Sequence, residues 1–115
     1  MTDPCVFDSL SFHEASVISV AGESTAFRVE LELAPESTPH ASVALDFHGV
    51  SSMMRDDVPV SAFRMERDDG EVLTLERAGN GFLMIVEWHD FNPVVRHTSV
   101  WRWGGLVTAR CSDRI

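Results

Sequence analysis

Residues 25–34 read TAFRVELELA, and their alternation decides the fold class. Phe27, Val29, Leu31 and Leu33 fall on one side, and Arg28, Glu30 and Glu32 on the other. A period of two belongs to a strand with one buried and one wet face. SVALDFHGV (42–50) repeats it, with Val43, Leu45 and Phe47 inward and Asp46 and His48 outward. AFRMER (62–67) sets Phe63 and Met65 against Arg64 and Glu66, and EVLTLER (71–77) sets Leu73 and Leu75 against Thr74 and Glu76. FLMIVEW (82–88) is apolar on both faces, as expected of a strand covered on both sides. Its expected hairpin partner is VVRHTSVWRW (94–103), across Asp90–Pro93.

The punctuation between these runs suits hairpins. Ala21–Ser24, Asp68–Gly70, Ala78–Gly81 and Trp103–Gly105 carry the Gly, Asn and Asp that tight turns require. PESTPHAS (35–42) is a longer, proline-bounded loop. No apolar stripe of period 3.6 lasts three turns, so no helix beyond short turns is expected. Seven or eight short antiparallel strands predict an all-β fold, either a β-sandwich or a partly open barrel. The 115 residues make one domain, 1–115, large enough to bury a core without staples.

Charge narrows the function classes. The net charge is −9, and no lysine occurs. Residues 1–57 hold ten acids against two arginines, a net of −8, whereas residues 58–115 hold eight acids against seven arginines, a net of −1. Nucleic-acid binding needs cations against phosphate, so no nucleic-acid partner is expected. An acidic half can steer a basic protein partner, and it also serves plain solubility. No apolar run reaches the length of a membrane helix, and MTDPCVFDSL has acids where a signal peptide has positive charge. A cytoplasmic protein without membrane attachment is expected. There Cys5 and Cys111 read as two free thiols, although chain ends that lie close would allow a disulfide.

No Gly-x-Ser-x-Gly, P-loop or dinucleotide fingerprint occurs, so no catalysis and no cofactor are expected. The strongest chemical constellation is Glu87 and His89, two apart on one strand, with His97 across the proposed hairpin. Two histidines and a carboxylate can ligate a metal or pass a proton. The plainer reading is the polar end of a strand beside its turn. Arg96, Arg102 and Arg110 lie near Trp88, Trp101 and Trp103, a pairing typical of interface hot spots if the indoles are exposed and of a core if they are not.

Phe12-His13-Glu14-Ala15 before a β-branched run, the amphipathic strand Phe27–Leu33 and the strand ending Phe47-His48-Gly49-Val50 resemble a group of small bacterial β-proteins. That group includes the immunity proteins of polymorphic-toxin systems known as immunity protein 50. The resemblance covers roughly the first half of the chain, with glutamate where aspartate is usual. It implies binding and neutralising a toxin, without catalysis. Three readings remain open. The first is a protein-binding domain using His13, Glu14, Asp46, His48, Asp56 and Asp57 against a protein, a basic toxin under the resemblance. The second is a small metal-dependent or acid–base enzyme, or a metal- or ligand-binding barrel, centred on Glu87, His89 and His97. The third is a homo-oligomeric subunit, for example a dimer paired through an edge strand.

Overall fold

The computed structural model describes residues 2–35, 40–91 and 94–113. Eight strands follow in chain order: β1 (Thr2–Cys5), β2 (Ala15–Gly22), β3 (Ala26–Glu32), β4 (His40–Arg55), β5 (Val58–Pro59), β6 (Asp69–Ala78), β7 (Gly81–Phe91) and β8 (Val94–Asp113). A single 3-10 turn, Phe7–Ser9, follows β1. The all-β expectation holds, and the barrel alternative is the one realised.

The strands lie in the order β1-β8-β7-β6-β2-β3-β4-β5, and β4 also bonds to β8. That extra pairing closes six of them, β8-β7-β6-β2-β3-β4, into a barrel, with β1 and β5 added outside the ring. β8 is its spine, bonded to β4 from Trp101 to Asp113 and to β7 from Val94 to Gly104. The weakest seam joins β2 to β6 through two residue pairs, Ala15–Val72 and Ser16–Glu71.

Side chains alternate across each strand, so the inward set fills the barrel. Val29, Leu31, Val43, Leu45, Phe47, Val72, Phe82, Met84 and Val86 are buried. Trp88, Trp101 and Trp103 are all buried too, so the tryptophans are core and not a hot-spot surface. Each ring removes a large apolar area from water, and Phe27, Phe47, Phe63 and Phe82 pack against Trp103.

Four sequence expectations are corrected. AFRMER is not a strand: residues 60–68 are irregular and cross the barrel mouth, where Phe63 packs on Trp101 with ring centroids 4.4 Å apart. Phe63 and Glu66, which the alternation put on opposite faces, both turn to the mouth. Trp103-Gly104-Gly105 is not a turn, since β8 runs through it. Gly105 has φ +140°, and a Cβ there would sit 2.6 Å from the His48 carbonyl oxygen. In β6, a bulge between Val72 and Thr74 shifts the phase, so Val72 and Leu75 are buried while Leu73 is only half-buried.

The fourth concerns the cysteines. Cys5 and Cys111 are disulfide-bonded, with Cα atoms 6.0 Å apart, where two free thiols were expected. β1 lies beside β8 with Asp3 opposite Cys111 and Cys5 opposite Ala109, which sets the two sulfurs diagonally across one strand pair. Sequence spacing could not show that the first strand docks on the last.

Candidate functional site

The densest polar cluster stands at the barrel mouth. Ser99 lies opposite Val86 on β7, so its side chain shares the inner face. Its Oγ accepts the indole N–H of Trp88 and of Trp101, each at 2.8 Å. With both lone pairs used, the Ser99 hydroxyl donates to the Glu66 carboxylate. Arg55 forks onto the same carboxylate, with Nε 3.0 Å from Oε2 and Nη2 against Oε1. His97 Nε2 adds a bond to Oε1 at 2.9 Å. Burial alone would push the Glu66 carboxyl up; the donors Arg55, Ser99 and His97 outweigh it and hold the group at about 2.

This arrangement fastens a loop. A carboxylate held at about 2 and committed to three donors is a weak base at neutral pH. Ser99 is fully buried, with its oxygen occupied by two indoles, so it offers no nucleophile. Glu66 instead pins residues 60–68 across the mouth, beside a groove of about 500 Å³ walled by Val60, Ala62, Met65 and Trp101. Sequence reading missed Arg55, Glu66 and Ser99. Glu66 looked like a wet-face residue, and the available hint was Ser99 two places before Trp101 on one face.

The fastening has a pH signature. Glu66 titrates lower in the folded chain than its ordinary 4.5, so between pH 4.5 and 2 the unfolded chain binds more protons. The contribution is therefore complete above about pH 4.5 and is lost as pH falls towards 2. Urea unfolding across this window should show the wild type losing on the order of 2 kcal/mol more than Glu66→Gln. Parallel curves would mean that the bonds to Glu66 contribute nothing net.

The residues expected to bind a partner do not form one cluster. His13 and Glu14 make the turn into β2: the Glu14 N–H bonds the Val72 carbonyl at 2.8 Å, and the His13 ring lies 3.1 Å from the Leu73 carbonyl. Glu14 adopts φ 65°, the left-handed region. Phe-His-Glu-Ala thus extends the short β2–β6 seam. Asp46 stands opposite Arg28 and accepts its guanidinium twice, at 2.8 and 3.0 Å. That bond holds the Asp46 carboxyl below its ordinary range. His48 meets the Thr108 hydroxyl at 3.0 Å. Asp56 and Asp57, with φ 50° and 64°, make the two-residue turn from β4 to β5. Asp56 accepts the Val100 N–H and donates its own N–H to the Val100 carbonyl, both at 2.8 Å. Ala21, Arg28 and Asp46 share one row of the register, whereas His13 lies eight residues back along the chain from Ala21.

The metal constellation is divided between two faces. Glu87 and His89 point outward and meet each other at 3.1 Å. His97 stands opposite Trp88, on the inner face, and bonds Glu66. Among the described residues, no group of three or more His, Cys, Asp or Glu side chains is placed to hold a metal ion.

What the outer face does carry is an acidic row in which, among the described residues, Glu87 meets His89 and no acid is ion-paired to an arginine. In register around the barrel run Thr98, Glu87, Glu71, Ser16, Glu32 and Ser42. Glu71 and Glu87 are directly opposite, a like-charge pair that costs stability. Glu30 lies two residues from Glu32 along β3. Among the described residues, no arginine stands within ion-pair distance of Glu30, Glu32 or Glu71. Arg28 is bonded to Asp46 and is also attracted to Glu30, with Arg110 lining the same shallow groove. Comparison with protein families, curated proteins and solved structures finds no match for this chain.

Proposed function

We propose that this chain is a non-enzymatic, protein-binding barrel whose acidic outer face receives a basic protein. The observation that carries this reading is the opposed pair Glu71–Glu87 with Glu32 beyond Ser16, kept without ion-pairing arginines at a cost to the barrel. A face that pays for like charge in the free state gains when a cationic surface covers it. The resemblance of Phe12–Ala15 and Phe47–Val50 to immunity protein 50 fits the same reading and makes the partner a basic toxin. Among the described residues no helix is long and apolar enough to cross a membrane. The proposed compartment is the cytoplasm, where Cys5–Cys111 would stand mainly reduced.

The test is charge reversal at Glu32 and Glu71. Asp56 and Asp57 serve poorly, because the Asp56 carboxylate also holds the Val100 N–H. A basic protein captured from the source cell by the immobilised chain should associate about tenfold more slowly with Glu32→Lys/Glu71→Lys, with dissociation little changed. Raising salt should slow the wild type and narrow the difference. Association insensitive both to salt and to the reversal would overturn the reading.

A further inference from the structure

The barrel leaves one strand edge open. β2 pairs with β3 as far as Gly22, but on its other side it meets β6 only at Ala15 and Ser16. From Val17 to Gly22, β2 makes no backbone hydrogen bond on that side to any described residue. On the other side of the two-pair seam β6 is covered, since His13 bonds the Leu73 carbonyl and Arg77 holds Asp8 of the 3-10 turn at 2.7 Å; Val17 to Gly22 instead run past the start of β6, beside the 60–68 loop. The outer strands are blunted by proline, Pro4 in β1 and Pro59 in β5. β2 has no proline.

A groove of about 460 Å³ runs beside this edge, between β2 and the latched loop. Val20, Phe27, Phe63 and Met65 give it apolar walls, and one acid, Glu23, and one cation, Arg64, also line it. On the opposite, outer face of β2 lie the bulged Ile18, 49% exposed, Ser19 opposite Glu30, and Ala21 opposite Arg28, which is paired to Asp46; the row containing Glu32 and Glu71 crosses β2 at Ser16, where the open edge begins. A strand added to the β2 edge would alternate its side chains between these two environments. Those turned into the groove would meet apolar walls. Those turned outward would lie roughly 10 Å from β3, two strand spacings away, within reach of a long cation and about one Debye length.

We infer that the open edge of β2, from Val17 to Gly22, is the docking site for an extended segment of the basic partner, one that alternates cationic and apolar residues. The inference rests on the proposed function and adds to it the place and the backbone mode of binding. A second copy of this chain fits badly, because pairing β2 with β2 would bring Glu30, Glu32 and Glu71 near their own copies at a net charge of −9 per chain. Backbone bonds would supply affinity, and the alternating environments would supply selectivity.

The probe is a capped eight-residue peptide of alternating lysine and valine, read by amide hydrogen exchange on the intact chain. Saturating peptide should slow exchange within residues 17–22 at least tenfold, while a glutamate–valine peptide should not. An added strand bonds the edge through alternate residues, so N-methylating the peptide at one alternate set should weaken binding at least tenfold and at the other set little. Unchanged exchange at residues 17–22, protection confined to β1 or β5, equal loss from both methylated peptides, or a free dimer with these amides already protected would each overturn the site. Loss of peptide binding in Glu32→Lys/Glu71→Lys with no methylation asymmetry would overturn the edge while leaving the acidic-face reading standing.

Discussion

Trp88→Ala should destabilise the barrel by about 3–5 kcal/mol, the range for emptying a large aromatic from a packed core. The ring is fully buried, and β6 gives way to it with a glycine: a Cβ at Gly70 would sit 2.7 Å from Trp88 Cζ3. Removing the ring leaves a cavity walled by Gly70 and Val86, neither of which has a side chain long enough to fill it. It also removes one of the two indole donors to Ser99, in the network that carries Glu66. For a domain of this size the midpoint of thermal unfolding should fall by roughly 10–20 °C. Trp88→Phe separates the two causes. It keeps most of the volume and loses the N–H with a small part of the ring, so it should cost about 1–2 kcal/mol. Calorimetry of the two variants checks the order; equal losses would assign the whole effect to the hydrogen bond.

The same ring shows what the sequence could and could not disclose. That Trp88 sits on a strand followed from FLMIVEW, a short apolar run bounded by turn residues, although its outward Leu83 and Ile85 are half-buried and not covered on both sides as expected. The turns at Ala21–Ser24 and Ala78–Gly81 followed from residue chemistry. Ring closure did not, because it depends on β4 meeting β8, two strands far apart in the chain with no local mark of their pairing. Phase was lost at Leu73, where a bulge adds one residue, so that Val72 turns inward before it while Leu75 is buried as expected. The site was harder still. Glu87 and His89 were correctly seen to share a face, but a register that sets His97 opposite Trp88 sends it to the other. Glu66 lay in a stretch whose alternation imitated a strand, so its partners Arg55, His97 and Ser99 had no reason to be grouped. The acidic row was invisible for the same reason, since its members come from β7, β6 and β3 and are aligned only by the register.

Breaking Cys5–Cys111 should cost the oxidised protein about 2–4 kcal/mol. The bond joins residues 106 apart, so nearly the whole chain is closed into one loop when unfolded. On the chain-entropy account a loop near 100 residues is worth about 4.7 kcal/mol, and measured bonds commonly return less. Little of this should come from lost native contacts. β1 is four residues long, and the stretch of β8 that it covers, Ala109–Ser112, stays bonded to β4 on the other side. Two routes to the open form separate these contributions. Dithiothreitol leaves both sulfurs in place and removes only the cross-link, so its effect is the loop term. Cys111→Ser adds a hydroxyl at a site only 1% exposed, which should cost about 1–3 kcal/mol more. Cys5→Ser, at a half-buried position, should match the reduced wild type closely. Urea unfolding should also steepen on reduction, because an unlinked unfolded chain exposes more surface. A reduced protein as stable as the oxidised one, with an unchanged slope, would mean that the unfolded chain already holds its two ends together.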